Sequence, residues 1–75
     1  MAGYAIRDLE IRFPDFSPLA EIIKVKAGTK LQRTKAGGRP WAVPPSAIPV
    51  DQRERLRHDL TYRYVFVPAD AVEER

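Results

Sequence analysis

Between positions 24 and 39 the chain carries Lys24, Lys26, Lys30, Arg33, Lys35 and Arg39 with no acidic residue among them, and the run ends close to Trp41. Cations spaced along one segment are suited to neutralising the phosphates of a nucleic acid. An aromatic ring beside them is suited to stacking on a base. Lys24 and Lys26 are two positions apart, so on a strand they share a face. A glycine-bearing loop flanked by cations lets a phosphate backbone approach closely. Contacts of this kind go mostly to phosphate and depend little on sequence. Lys24, Lys26, Lys30, Arg33, Lys35 and Arg39 are therefore the candidate nucleic-acid contacts, with Trp41 as the candidate stacking platform. A competing reading has the lysines guarding an exposed hairpin edge against aggregation, with Trp41 in the core.

The other residues with chemical potential are fewer. His58 and Asp59 are adjacent, but neighbours on a helix diverge, and a proton relay is recognised by geometry. A histidine is the one side chain that ordinarily titrates near neutrality. Ser17 and Ser46 each sit beside a proline in turn-like settings. There is no cysteine and only one histidine, so neither a thiolate nucleophile nor a zinc cluster is expected. No phosphate-binding loop, dinucleotide fingerprint or metal motif is present. The chain is read as non-catalytic, with no cofactor and no metal. Arg53, Arg55 and Arg57 do not share one helix face, and Glu54 and Asp59 offset them, which reads as a solvated helix.

The charge is unevenly spread. Residues 1–21 sum to −2, residues 22–50 to +6 and residues 51–75 to −1, which gives the net +3. A basic middle between mildly acidic ends is a statement about partners: a nucleic acid, DNA or RNA, or an acidic protein surface. The longest uncharged run, 40–50, is short and holds four prolines, so no membrane span is expected. Arg7 and Asp8 interrupt any apolar leader. A cytoplasmic location follows as an expectation.

Seventy-five residues read as a single small domain with a thin core. A chain of this size without staples often gains stability by assembling, and a homodimer is an expectation on that ground. Leu9, Ile11 and Phe13 alternate with Glu10 and Arg12, the period of a half-buried strand that Pro14 ends. Asp15–Phe16 reads as a turn. Ser17–Pro18 has the pattern of a helix start, predicting a turn or two of helix over "PLAEII". Ile23 and Val25 alternate with Lys24 and Lys26, Ala27–Gly28 is a tight turn, and residues 29–34 read as the return strand of a hairpin. "KAGGRP" is a second turn. Residues 40–49 read as a structural strap anchored by Trp41, Val43 and Ile48.

Asp51 and Glu54 have capping-box spacing before a short surface helix that presents Leu56 and Leu60. "TYRYVFVP", residues 61–68, is the strongest strand pattern, with Tyr62, Tyr64 and Phe66 on one face and a central place in the sheet. "ADAVEER" reads as a helical turn or tail. These elements predict a mainly β or small α+β fold: a strongly bent antiparallel sheet of about four strands, resembling an SH3-like small barrel, with one or two short helices. The functional expectation is a small nucleic-acid-binding or nucleic-acid-associated regulatory protein using the basic hairpin and loop. The alternative is a protein-binding adaptor, or a small inhibitor of a larger enzyme or complex, that presents an exposed hairpin edge or the aromatic face of Tyr62, Tyr64 and Phe66.

Overall fold

The computed structural model describes residues 2–14 and 17–75. The expected turn at Asp15–Phe16 lies outside the described residues. Strands β1 (Gly3–Ala5), β2 (Leu9–Phe13), β3 (Glu21–Val25), β4 (Lys30–Arg33) and β5 (Trp41–Ala42) are followed by helices α1 (Val50–Arg55) and α2 (Arg57–Tyr62) and by strand β6 (Val72–Glu74). Single 3-10 turns lie at Pro45–Ala47 and Ala69–Ala71. One antiparallel sheet has the order β5-β4-β1-β6, and β2 and β3 form a second, two-stranded ribbon. The architecture is the expected one, a strongly bent antiparallel sheet with two short helices.

The bend has a simple construction. Tyr4 faces Lys30 on the β1–β4 ladder, and Leu9 faces Val25 on the β2–β3 ladder. The second pair lies five residues further along one strand and five residues back along the other. Both ladders therefore belong to one antiparallel register that is folded at its middle. Alternation then puts Ala5, Leu31, Phe13, Ile23 and Val25 on the inner face, where all are buried, and Tyr4, Glu10, Arg12, Ile22, Lys24 and Lys30 on the outer face. At the fold, Ala5 N–H donates to the Thr29 carbonyl (3.0 Å), Gly28 N–H donates to the Ala5 carbonyl (2.7 Å), and Ala27 N–H donates to Asp8 Oδ1 (2.8 Å). Gly28 has φ 86°, a conformation that glycine adopts without penalty.

This arrangement corrects the expected hairpin. Ala27–Gly28 is a corner between two sheets, and β3 pairs with β2 instead of β4. The turn chemistry was legible, but a positive-φ glycine serves a bend as well as a reversal. Strand β4 turns back on β5 instead, through the loop 34–40. The helix expected over "PLAEII" is also absent: Ser17 Oγ accepts from Leu19 N–H (3.1 Å) in a local turn, and Glu21 onward is strand. β-branched Ile22, Ile23 and Val25 favour the ladder that β2 offers.

Strand β3 is closed on its far side by α1. Gln52 Nε2 donates to the Ile22 carbonyl (2.8 Å), and the Arg55 guanidinium grips Glu21 through both carboxylate oxygens (2.6–3.1 Å). This holds the Glu21 carboxyl below its usual value, the Arg55 hydrogen bond being the chief cause, and raises Arg55 in turn. The expected capping box does not form. Pro49 occupies the cap position, and Asp51 lies inside the helix, 3.6 Å from Arg55. The helical stretch breaks at Leu56, whose side chain drops into the core with Trp41, Val43, Ile48, Val65 and Val67.

The best strand pattern in the sequence forms almost no strand. Thr61 and Tyr62 complete α2, and residues 63–67 run extended beside β5, joined by one bridge, Ala42 to Phe66. Val43 N–H donates to the Val65 carbonyl (2.8 Å) and Val67 N–H to the Trp41 carbonyl (3.0 Å). Strand β5 is confined between Pro40 and Pro44, so its neighbour has little to pair with. The alternation survives: Val65 and Val67 are buried, whereas Tyr64 and Phe66 face outward. The C-terminal "ADAVEER" is a 3-10 turn followed by β6, an edge strand on β1 that was not expected.

Candidate nucleic-acid interface

The structure divides the basic run. Lys24, Lys26, Lys30, Arg33, Lys35 and Arg39 are all exposed, and the fold gives them different neighbours. Lys24 stands opposite Glu10 on the outer face of the ribbon, and Lys30 stands opposite Tyr4, whose other neighbour is Glu73. Lys26 sits at the corner, where its carbonyl accepts from Thr29 N–H (3.1 Å) and Thr29 Oγ1 (2.7 Å). Arg33 lies 3.5 Å from Glu74 of β6 and 5.3 Å from the centroid of the Trp41 ring. Lys35 is in the loop that follows.

Trp41 is not a stacking platform in this fold. It is 5% exposed, and its ring lies against Gly3 so closely that a Cβ there would sit 2.8 Å from three ring atoms. Gly3 is the space that lets Trp41 cover β1, with Arg33 over the ring and Glu74 holding Arg33. The tryptophan is therefore core, as the competing reading had it.

Arg39 behaves differently. Thr34, itself buried, fixes the loop that carries it: its N–H donates to the Pro40 carbonyl (2.7 Å), its hydroxyl donates to the Arg39 carbonyl, and Ala36 N–H donates to that hydroxyl (3.2 Å). The Arg39 guanidinium then lies over Phe66, 5.2 Å from the ring centroid. Here the loop meets a cleft of about 630 Å³. One wall is the end of β2, where Ile11, Arg12, Phe13 and Pro14 line it. The other is the segment from Tyr62 to Ala69, with Arg63 among its lining residues, and Gly38 and Arg39 close the end. Among the described residues β2 has no partner on this side.

Arg12, Arg39 and Arg63 all line this cleft, whose other walls are aromatic and aliphatic, and Arg63 is also engaged in a contact within the protein. Arg12 reaches across the ribbon's end, with Nη2 donating to the Ser17 carbonyl (3.3 Å). Tyr62 is 75% exposed and Tyr64 46% exposed. The Tyr64 and Phe66 rings are 5.7 Å apart and tilted by 49°, and His58 meets Tyr62 edge-on at 5.0 Å.

Only Arg39 of this set belongs to the expected contacts. Arg12 carries no signal in the sequence beyond strand alternation. Arg63 does carry one: the "YRYVF" stretch interleaves a cation with rings, which is the composition of a nucleic-acid surface as much as of a sheet. Among the described residues no group of three or more acidic or histidine side chains is arranged to hold a metal ion, and no helix is long and apolar enough to cross a membrane.

No protein-family model matches this chain, and no curated protein or solved structure is significantly similar to it.

Proposed function

We propose that the protein binds nucleic acid through the cleft between β2 and the 62–69 segment. The observation that carries the proposal is the convergence of Arg12 and Arg39, from two separate parts of the chain, on a concave surface lined largely by aromatic and aliphatic residues. Guanidinium groups match phosphate geometry in paired hydrogen bonds and stack on flat groups, so arginine suits such a site better than lysine. The exposed lysines of the outer face add a general attraction for a polyanion, tempered by Glu10, Glu73 and Glu74. Contacts of this type bind without reading sequence.

A second reading has an observation of its own. The open side of β2 would accept an extended peptide as an added strand, and an acidic peptide would complement Arg12 and Arg39. That is the adaptor reading.

Fluorescence anisotropy of a labelled strand, titrated across salt concentrations, separates the two. For two or three phosphates neutralised in the cleft, the log–log salt slope is expected to be about −1.5 to −2. Absence of binding to DNA and RNA at low salt would leave the peptide reading in its place.

A further inference from the structure

We infer that the strand this cleft takes is single, and that its unpaired bases stack on Tyr62 and Tyr64 while Arg12 and Arg39 hold its phosphates. The inference rests on the nucleic-acid reading and narrows it. Isolated exposed apolar residues are normal on a protein surface. Here, however, three rings follow at alternate positions, 62, 64 and 66, as the chain leaves α2 and becomes extended. Alternation buries Val65 and Val67 and turns Tyr64 and Phe66 to the same outward side, at a pitch of about 6.5 Å. Phe66 has its ring under Arg39, so the cation and the π surface are already stacked before any ligand arrives.

The dimensions favour a single strand. About 630 Å³ is the size of a small-molecule site, room for a nucleotide or two. A duplex keeps its base faces stacked inside, so it would offer the arginines its phosphates but leave the tyrosine rings without a partner. A single strand offers both surfaces at once, and stacking on rings tolerates any base.

The test uses the full chain and three labelled probes of equal length: a single-stranded oligothymidylate, a duplex, and an abasic strand with the same number of phosphates. The unmodified protein is expected to bind oligothymidylate at least about fivefold more tightly than the abasic strand. Tyr64→Ala and Tyr62→Ala are each expected to lose about fivefold or more on oligothymidylate, with no change on the abasic strand and no change in salt slope. Tyr64→Phe should retain binding and Tyr64→Leu should not. Equal affinity for the abasic and base-bearing strands, or a preference for duplex, would overturn the inference while leaving phosphate binding intact. No salt-dependent binding to any probe would overturn both. Urea midpoints of the tyrosine variants check that the fold is unaltered.

Discussion

Two arginine–aromatic pairs in this molecule have nearly the same geometry and opposite settings. Arg33 lies 5.3 Å from the centre of Trp41, and Arg39 lies 5.2 Å from the centre of Phe66. In the first pair the ring is core and the arginine is held by Glu74, forty-one positions away in sequence. In the second the ring borders an open cleft that two further arginines line. Six cations within one stretch of sequence, 24–39, are thus sorted by partners that the local sequence does not reveal. Strand pairing brings Glu10, Glu73 and Glu74 to one group, and the close approach of β2 and the 62–69 segment brings Arg12 and Arg63 to the other. A basic run is a feature of the chain; a basic site is a feature of the fold.

That contrast is open to direct attack. The largest effect is expected from Trp41→Ala. Removing a fully packed indole costs about 3–5 kcal/mol, a large part of the stability of a domain this small, and urea denaturation would register it. Tyr62→Ala, at an aromatic of the other kind, should stay within about 0.5 kcal/mol of the parent. If the two variants lose stability alike, the division between a structural and a functional aromatic collapses.

Next in size is Gly3→Ala. The new methyl would meet the Trp41 ring at 2.8 Å, and the overpacking is expected to cost about 1–3 kcal/mol, again measured by urea midpoint. An unchanged midpoint would mean that Trp41 is free to move off β1. Thr34→Val sharpens the other half of the contrast. It strips the hydroxyl that ties Ala36 and Arg39 together, at about 1 kcal/mol, and should loosen the loop enough to lower strand affinity by more than its stability cost explains.

The smallest effect is expected from Glu21→Gln. The Glu21 carboxyl titrates below its usual 4.5 because Arg55 favours its charged form. Its contribution is therefore present above 4.5 and is lost as the pH falls through the lowered value. The variant should be slightly less stable than the parent at neutral pH, and the difference should vanish in acid. A difference independent of pH would assign the effect to packing, and strand binding should be untouched throughout.

Much of the fold was legible locally. Leu9, Ile11 and Phe13 announced β2, Ile23 and Val25 announced the inner face of β3, and the glycines marked both turns. The pairing of those strands was not legible, because Gly28 permits a corner and a reversal equally and only the register with β1 and β2 decides between them. The pattern at 61–68 misled because strand propensity needs a partner with free backbone groups, and prolines 40 and 44 cut that partner to two residues. Strands β1 and β6 are three residues each, too short for a period to emerge. Of the site, Arg39 and the ring alternation at 62–66 were visible. Arg12 was not, since nothing in "LEIRF" distinguishes an arginine on an ordinary outer face from one at the lip of a cleft.

The most direct test compares salt slopes for a labelled single strand among the parent protein, Arg12→Ala with Arg39→Ala, and Lys24→Ala with Lys26→Ala. If the cleft is the site, the arginine pair should lose affinity and flatten the slope by about 1.5, while the lysine pair stays close to the parent. The reverse order, with the lysine pair lost and the arginine pair unaffected, would return the contact to the outer face of the ribbon and contradict the assignment of the cleft.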